Sequence, residues 1–145
     1  MSVRYVIDRE RAVIFQKATG RVTDAELRLL LEDQRRHPDY DPRLDVIADF
    51  RDADMTGVAS ETMYELVDLL RPDLPNFTGA RWAIIVESDL NYGLARIFTN
   101  LAGLFPAKIE VFRSLDDAIS WLAPLDPQKR ELEELTRGWE ASSST

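Results

Sequence analysis

The sequence predicts a single α/β domain, built on a mostly parallel sheet flanked by helices. Three observations predict it. After an opening pair of β-rich segments, short apolar runs alternate with segments of helical periodicity, the pattern of successive strand–helix units. The run at 81–86 (RWAIIV) is almost continuously apolar, as a strand covered on both faces requires. The chain has 145 residues, 45% hydrophobic and 30% charged, which suits one globular domain. The expected order is ββαβαβαβα over residues 1–124, followed by a C-terminal helical extension and disordered tail over 125–145.

Each element has a local reason. Residues 3–8 (VRYVID) and 11–18 (RAVIFQKA) are β-rich and read as a hairpin. Arg9-Glu10 is a poor two-residue turn, so a longer loop is expected. Gly20 is expected to end the second strand. Thr23-Asp24-Ala25-Glu26 is a capping box, in which the Thr23 hydroxyl takes an amide of the first turn and Glu26 reaches back. Leu27, Leu30, Leu31 and Gln34 then share one helix face, which stops before Pro38. Residues 38–45 read as a loop and 46–51 (VIADFR) as a short strand. Ser60 is the expected N-cap of the second helix, with Met63, Leu66, Val67 and Leu70 inward until Pro72. Pro72–Gly79 reads as a loop before the strand at 81–86. Ser88 or Asp89 opens a third helix to about Leu104, and 108–113 (KIEVFR) alternates as a strand. Ser114 opens a fourth helix with Leu115, Ala118, Ile119 and Leu122 inward. In 127–139, Leu132, Leu135 and Trp139 recur at helical spacing and are expected to dock on the domain or on a second subunit.

Composition excludes much chemistry. Without cysteine there are no disulfides, thiolate metal sites or cysteine nucleophiles. The single histidine, His37, rules out HExxH and two-histidine sites; at a helix end beside Pro38 it reads as a cap or surface residue. The six glycines are too widely spaced for GxGxxG, a P-loop or GxSxG. No nucleophile–base pair is visible, so the chain is not expected to be an enzyme, and no cofactor or metal is assigned. The net charge of −8 and the lack of a basic cluster argue against nucleic acid. The longest uncharged stretch, 97–107, is too short to span a bilayer, and the N-terminus lacks a signal-peptide core. A cytoplasmic protein without membrane insertion is expected.

Four phrases carry a family resemblance: YVIDRERAVIFQKATGRVTDAEL (5–27), DPRLDVIADFRDAD (41–54), AIIVESDLNYGLARIF (83–98) and VFRSLDDAISWL (111–122). In these phrases and in element order the chain resembles the STAS domain, and more closely the SpoIIAA-like group of small stand-alone bacterial proteins. The resemblance implies a compact sheet flanked by helices and a mostly non-enzymatic role, as in anti-sigma-factor antagonists and transporter-fused modules. In the antagonists, a Ser or Thr in an Asp-Ser-Ser/Thr-Gly phrase at the start of the second helix is phosphorylated. Here the phrase reads Asp54-Met55-Thr56-Gly57, with Met55 in place of the first Ser, so the resemblance makes Thr56 a candidate phosphoacceptor, while Asp52 and Asp54 beside it favour an ordinary loop threonine.

Two further groups of candidates come from the residues themselves. Asp49, Asp52 and Asp54 stand at the end of the third strand, the edge where open parallel sheets bind ligands. They have the chemistry to hold a hard cation, but solvating loop aspartates with Arg51 as partner are the expected reading. Asp89, Arg96 and Arg113 are expected at the same edge, with Arg113 gripping a carboxylate or phosphate or pairing with Asp89. On the third helix, apolar residues cover an arc of about 180°, where a helix lying on a core needs about 100°. The excess points to an apolar-ligand site or an interface at Tyr92, Leu94, Phe98, Leu101 and Phe105. Two functions follow: a regulatory or interaction module with a protein partner or a second copy of itself, or a carrier of a small apolar or lipid-like ligand between the third helix and the sheet.

Overall fold

The computed structural model describes residues 2–123 and 131–138. Along the chain run β1 (Val3–Asp8), β2 (Val13–Arg21), α1 (Asp24–Arg36), β3 (Asp45–Asp54), α2 (Glu61–Leu70), a 3₁₀ segment (Arg71–Phe77), β4 (Arg81–Ile85), α3 (Asp89–Leu101), β5 (Lys108–Phe112) and α4 (Leu115–Leu122). The order is the expected ββαβαβαβα. The strands form one sheet in the order β1-β2-β3-β4-β5, with β1 antiparallel to β2 and every later pair parallel.

Alternation along the strands sorts the core into two layers. One sheet face packs under α1, α2 and α3; Ala18, Trp82, Leu30, Leu66, Leu94 and Phe77 belong to that layer. The other face carries Val13, Phe15, Ile47, Ala83 and Ile85 beneath α4. Residues 131–138 are helical, and their Leu132 and Leu135 pack on this second layer, so the expected docking is seen there. Residues 127–130, Trp139 and the tail lie outside the described residues.

The predicted inward faces are the buried ones: Leu27, Leu30, Leu31 and Gln34 on α1, Met63, Leu66, Val67 and Leu70 on α2, and Ala118, Ile119 and Leu122 on α4. Several local readings need correction. The hairpin loop is the longer one expected, residues 9–12, but β2 starts at Val13 and not at Arg11, after Ala12 takes a left-handed φ of 56°. Gly20 does not end β2; its φ of 68° carries the strand on to Arg21. Glu26 does not close the capping box: its backbone N–H donates to Thr23 Oγ1 (3.2 Å), but its Oε2 is buried without a hydrogen-bond partner. Ser60 makes no capping bond at the start of α2. Asp24 of α1 braces the start of α2 instead, its Oδ1 accepting from Ala59 N (3.0 Å) and Thr62 Oγ1 (2.6 Å). Two segments read as loop are partly regular: β3 runs on to Asp54, and Arg71–Phe77, with Pro72 and Pro75, tightens into the 3₁₀ turns. The helix α3 ends at Leu101, short of the expected Leu104.

Candidate functional site

The layer under α1–α3 is not filled. A cavity of about 130 Å³ lies between the sheet and the three helices. Its floor alternates along the strands: Ile14 and Gln16 from β2, Val46, Ala48 and Phe50 from β3, Trp82 and Ile84 from β4. Its roof comes from the helical repeats: Leu27, Leu30, Leu31 and Gln34 of α1, Met63, Leu66 and Leu70 of α2, and Asn91, Leu94, Ala95 and Phe98 of α3. Two small side chains, Ala48 and Ala95, help leave the space. Val46 and Ile84 sit on interior strands and are still only half-buried, because the cavity admits solvent to them.

Three amide side chains interrupt this apolar lining. Gln16 and Gln34 are buried, and Gln16 Nε2 donates to Gln34 Oε1 at 2.7 Å. Asn91 is buried too, its Nδ2 donating to Ala53 O at 2.9 Å and tying α3 to the end of β3. At one end the lining includes Tyr40, Asp41 and Pro42 of the α1–β3 loop. This loop is tied to the 3₁₀ segment through Asp73, whose Oδ2 accepts from Arg35 Nε (2.8 Å) and Tyr40 Oη (3.1 Å). Burial, and then Asp73, push the Tyr40 phenol above the ordinary tyrosine range, so it stays protonated.

The candidates on α3 divide. Leu94 and Phe98 line the cavity. Leu101 is half-buried against the same layer, and Phe105 is buried, stacked on Phe77 with ring centroids 5.5 Å apart; neither reaches the lining. Tyr92 turns elsewhere, with the Arg113 guanidinium 4.7 Å from its ring centroid.

Of the two readings of the strand-end charges, the structure shows the pairing one, with Arg113 on Asp89 and Arg51 on Asp49. Asp89 pairs with Arg113 Nη2 at 3.2 Å, and Arg113 Nη1 also donates to Glu87 O at 2.8 Å, in an exposed arrangement worth little energy. Arg96 is exposed on α3. Asp49 and Asp52 converge instead on Lys17, which donates to Asp49 Oδ2 (2.9 Å) and Asp52 Oδ2 (3.0 Å). Asp49 also accepts both arms of Arg51 (2.9 and 2.8 Å). Plain alternation would send Asp49 and Asp52 to opposite faces, but β3 has an extra residue between its partners for Lys17 and Thr19, and the bulge brings both to one ammonium. A lysine thus stands where a cation would have to sit, and among the described residues no group of three or more His, Cys, Asp or Glu is placed to hold a metal ion.

Thr56 is exposed, as a phosphoacceptor must be. Its hydroxyl donates to Asp54 Oδ1 at 2.7 Å, and Arg21 lies close enough to help hold the Asp54 carboxyl below the ordinary range, behind the bonds from Thr56. Sequence reasoning missed Gln16, Lys17 and Arg21. For the first two a signal existed: both are polar residues inside the apolar run of β2.

No family model and no curated protein matches the sequence. A solved structure does match: an uncharacterised protein of the DUF3478 family from Shewanella loihica PV-4, described as having a SpoIIAA-like fold. It is 20% identical, the match covers 84% of this chain and 94% of that one, and the TM-score is 0.56. The fold is SpoIIAA-like. At this identity the likeness establishes architecture and leaves role to the site itself. Within the SpoIIAA-like frame, Thr56 lies in the turn between β3 and α2, and the cavity lies under the three crossover helices. Among the described residues no helix is long and apolar enough to cross a membrane.

Proposed function

We propose that the chain is a non-catalytic binding module that takes a small apolar ligand between the sheet and α1–α3. The cavity itself carries this reading: about 130 Å³, walled by aliphatic, aromatic and thioether side chains from six elements. Concave, mostly apolar space with a few convergent polar groups is the usual form of a small-molecule site. The lining brings together no nucleophile and base, and its carboxylate, Asp41, is held by both arms of Arg43 (3.1 and 3.0 Å). A ligand that binds only the folded state raises its stability by mass action, about 2.7 kcal/mol at one hundred times the Kd. Calorimetry in benzene-saturated buffer is therefore expected to raise the melting temperature, and an unchanged transition with benzene and with toluene would sink the proposal.

A second reading, regulation through a protein partner or a second copy of the chain, draws support from the exposed Thr56 and from Leu104, which is 90% exposed just beyond α3. Light scattering that finds a dimer, and a Leu104→Glu variant that dissociates it, would favour this role. A monomer at every concentration would remove its self-association form.

A further inference from the structure

We infer that the occupant of the cavity is a neutral molecule about one aromatic ring in size, bearing a group that both donates and accepts a hydrogen bond, as a phenol does. This rests on the cavity-binding reading above and adds its ligand class. Size comes first. The cavity measures about 130 Å³, and an apolar cavity of about 150 Å³ accepts benzene. One ring fills that volume, and most of a long acyl chain would have to lie outside it.

Polarity comes second. Gln16 and Gln34 both line the cavity and are 7% and 3% exposed. One bond joins them, from Gln16 Nε2 to Gln34 Oε1. The other two amide atoms, Gln16 Oε1 and Gln34 Nε2, have no further hydrogen-bond partner among the described residues. Exchanging oxygen and nitrogen in both amides still leaves the pair with one free acceptor and one free donor, so the conclusion is independent of their orientation. Both atoms are open to the cavity rather than sealed from solvent; a ligand that displaces water from them loses affinity unless it replaces those hydrogen bonds, and a hydroxyl, which donates and accepts, can answer both atoms.

Charge comes third. No Lys, Arg or His lines the cavity among the described residues. The charged residue of the lining is Asp41, and its bonds from Arg43 hold it ionised. An anionic group would enter without a counter-ion and would meet that carboxylate.

The test uses the full chain with methionine methyls labelled with ¹³C, because Met55 and Met63, two of its three methionines, line the cavity. Phenol, toluene and benzoate are titrated separately. Phenol is expected to shift the Met55 and Met63 methyls with a Kd about tenfold below that of toluene, the effect of one or two net hydrogen bonds, and benzoate to bind at least about tenfold more weakly than phenol. In Gln16→Leu/Gln34→Leu the preference for phenol over toluene is expected to fall by about tenfold while toluene still binds. Toluene binding as tightly as phenol, or a preference that survives in the double variant, overturns the ligand class and leaves the cavity reading standing. Benzoate equal to phenol overturns its neutrality. Silence from both methyls with all three probes overturns the class and the cavity reading together. If the double variant does not fold, the three-probe comparison on the unaltered chain carries the test by itself.

Discussion

Lys17 and Asp49 face each other across β2 and β3 with side chains 4% and 0% exposed. Burial alone would discharge each of them. For Asp49, burial opposes ionisation, but the bonds from Arg51 and Lys17 outweigh it and hold the carboxyl below the ordinary aspartate range. For Lys17, burial is again the largest influence, and the bonds to Asp49 and Asp52 outweigh it and hold the ammonium above the ordinary lysine range. The signs follow. The carboxylate adds stability above the ordinary aspartate pKa of about 3.9, lost as the pH falls through its lowered value. The ammonium adds stability below the ordinary lysine pKa of about 10.4, lost as the pH rises through its raised value. Lys17→Met leaves Asp49 buried with Arg51 as its remaining charged partner here and is expected to cost about 3 kcal/mol in urea unfolding at neutral pH. The gap between the two proteins should narrow as the pH falls below the ordinary aspartate range and the carboxylate protonates; a gap indifferent to pH would mean that Lys17 matters for packing alone.

At the level of elements, the helices were legible because their signals are local. The apolar repeats of α1, α2 and α4 are buried as the spacing predicts. Thr23, Ser88 and Ser114 each accept the backbone N–H three residues on, a bond that the sequence spacing itself announces. The brace at the start of α2 was illegible for the same reason. Its acceptor, Asp24, lies 35 residues before Ala59 and 38 before Thr62, so nothing near Ser60 reveals it. This makes Asp24 a joint between α1 and α2. Asp24→Ala is expected to lower stability by about 1–2 kcal/mol, the cost of its two hydrogen bonds across α1 and α2, and to speed amide exchange at Ala59, while Asp24→Asn retains an acceptor and most of the stability. Equal losses in the two variants would place the effect elsewhere than in those hydrogen bonds.

Over the whole molecule, the fold was readable and the cavity was not. A mostly parallel sheet can be inferred from alternating elements, whereas a void is what remains when the elements around it fail to fill the space between them. The sequence pointed to α3, and Leu94 and Phe98 do border the cavity, but its polar pair spans β2 and α1 and appears only when those elements meet. The ion pair on the other face was hidden likewise, since Lys17 and Asp49 are neighbours by sheet register alone. Space of this kind weakens packing, and a larger side chain offered to it recovers contacts. Ala95→Leu, on the lining of α3, is expected to raise stability by about 1 kcal/mol in urea unfolding and to abolish the response of the Met55 and Met63 methyls to toluene. Lost stability together with retained toluene binding would show that the new side chain does not enter the cavity.

The two faces of the sheet are also completed at different moments. The strand order follows the chain, and the three crossover helices share one face, so the cavity-bearing half is whole once β5 has formed. Val13, Phe15, Ile47, Ala83 and Ile85 on the opposite face wait for α4, the next element to leave the ribosome. During that interval the nascent chain carries a bare apolar surface beside an otherwise finished fold. Its exposure to mispairing with other chains lasts until α4, and then residues 131–138 with Leu132 and Leu135, have covered that layer.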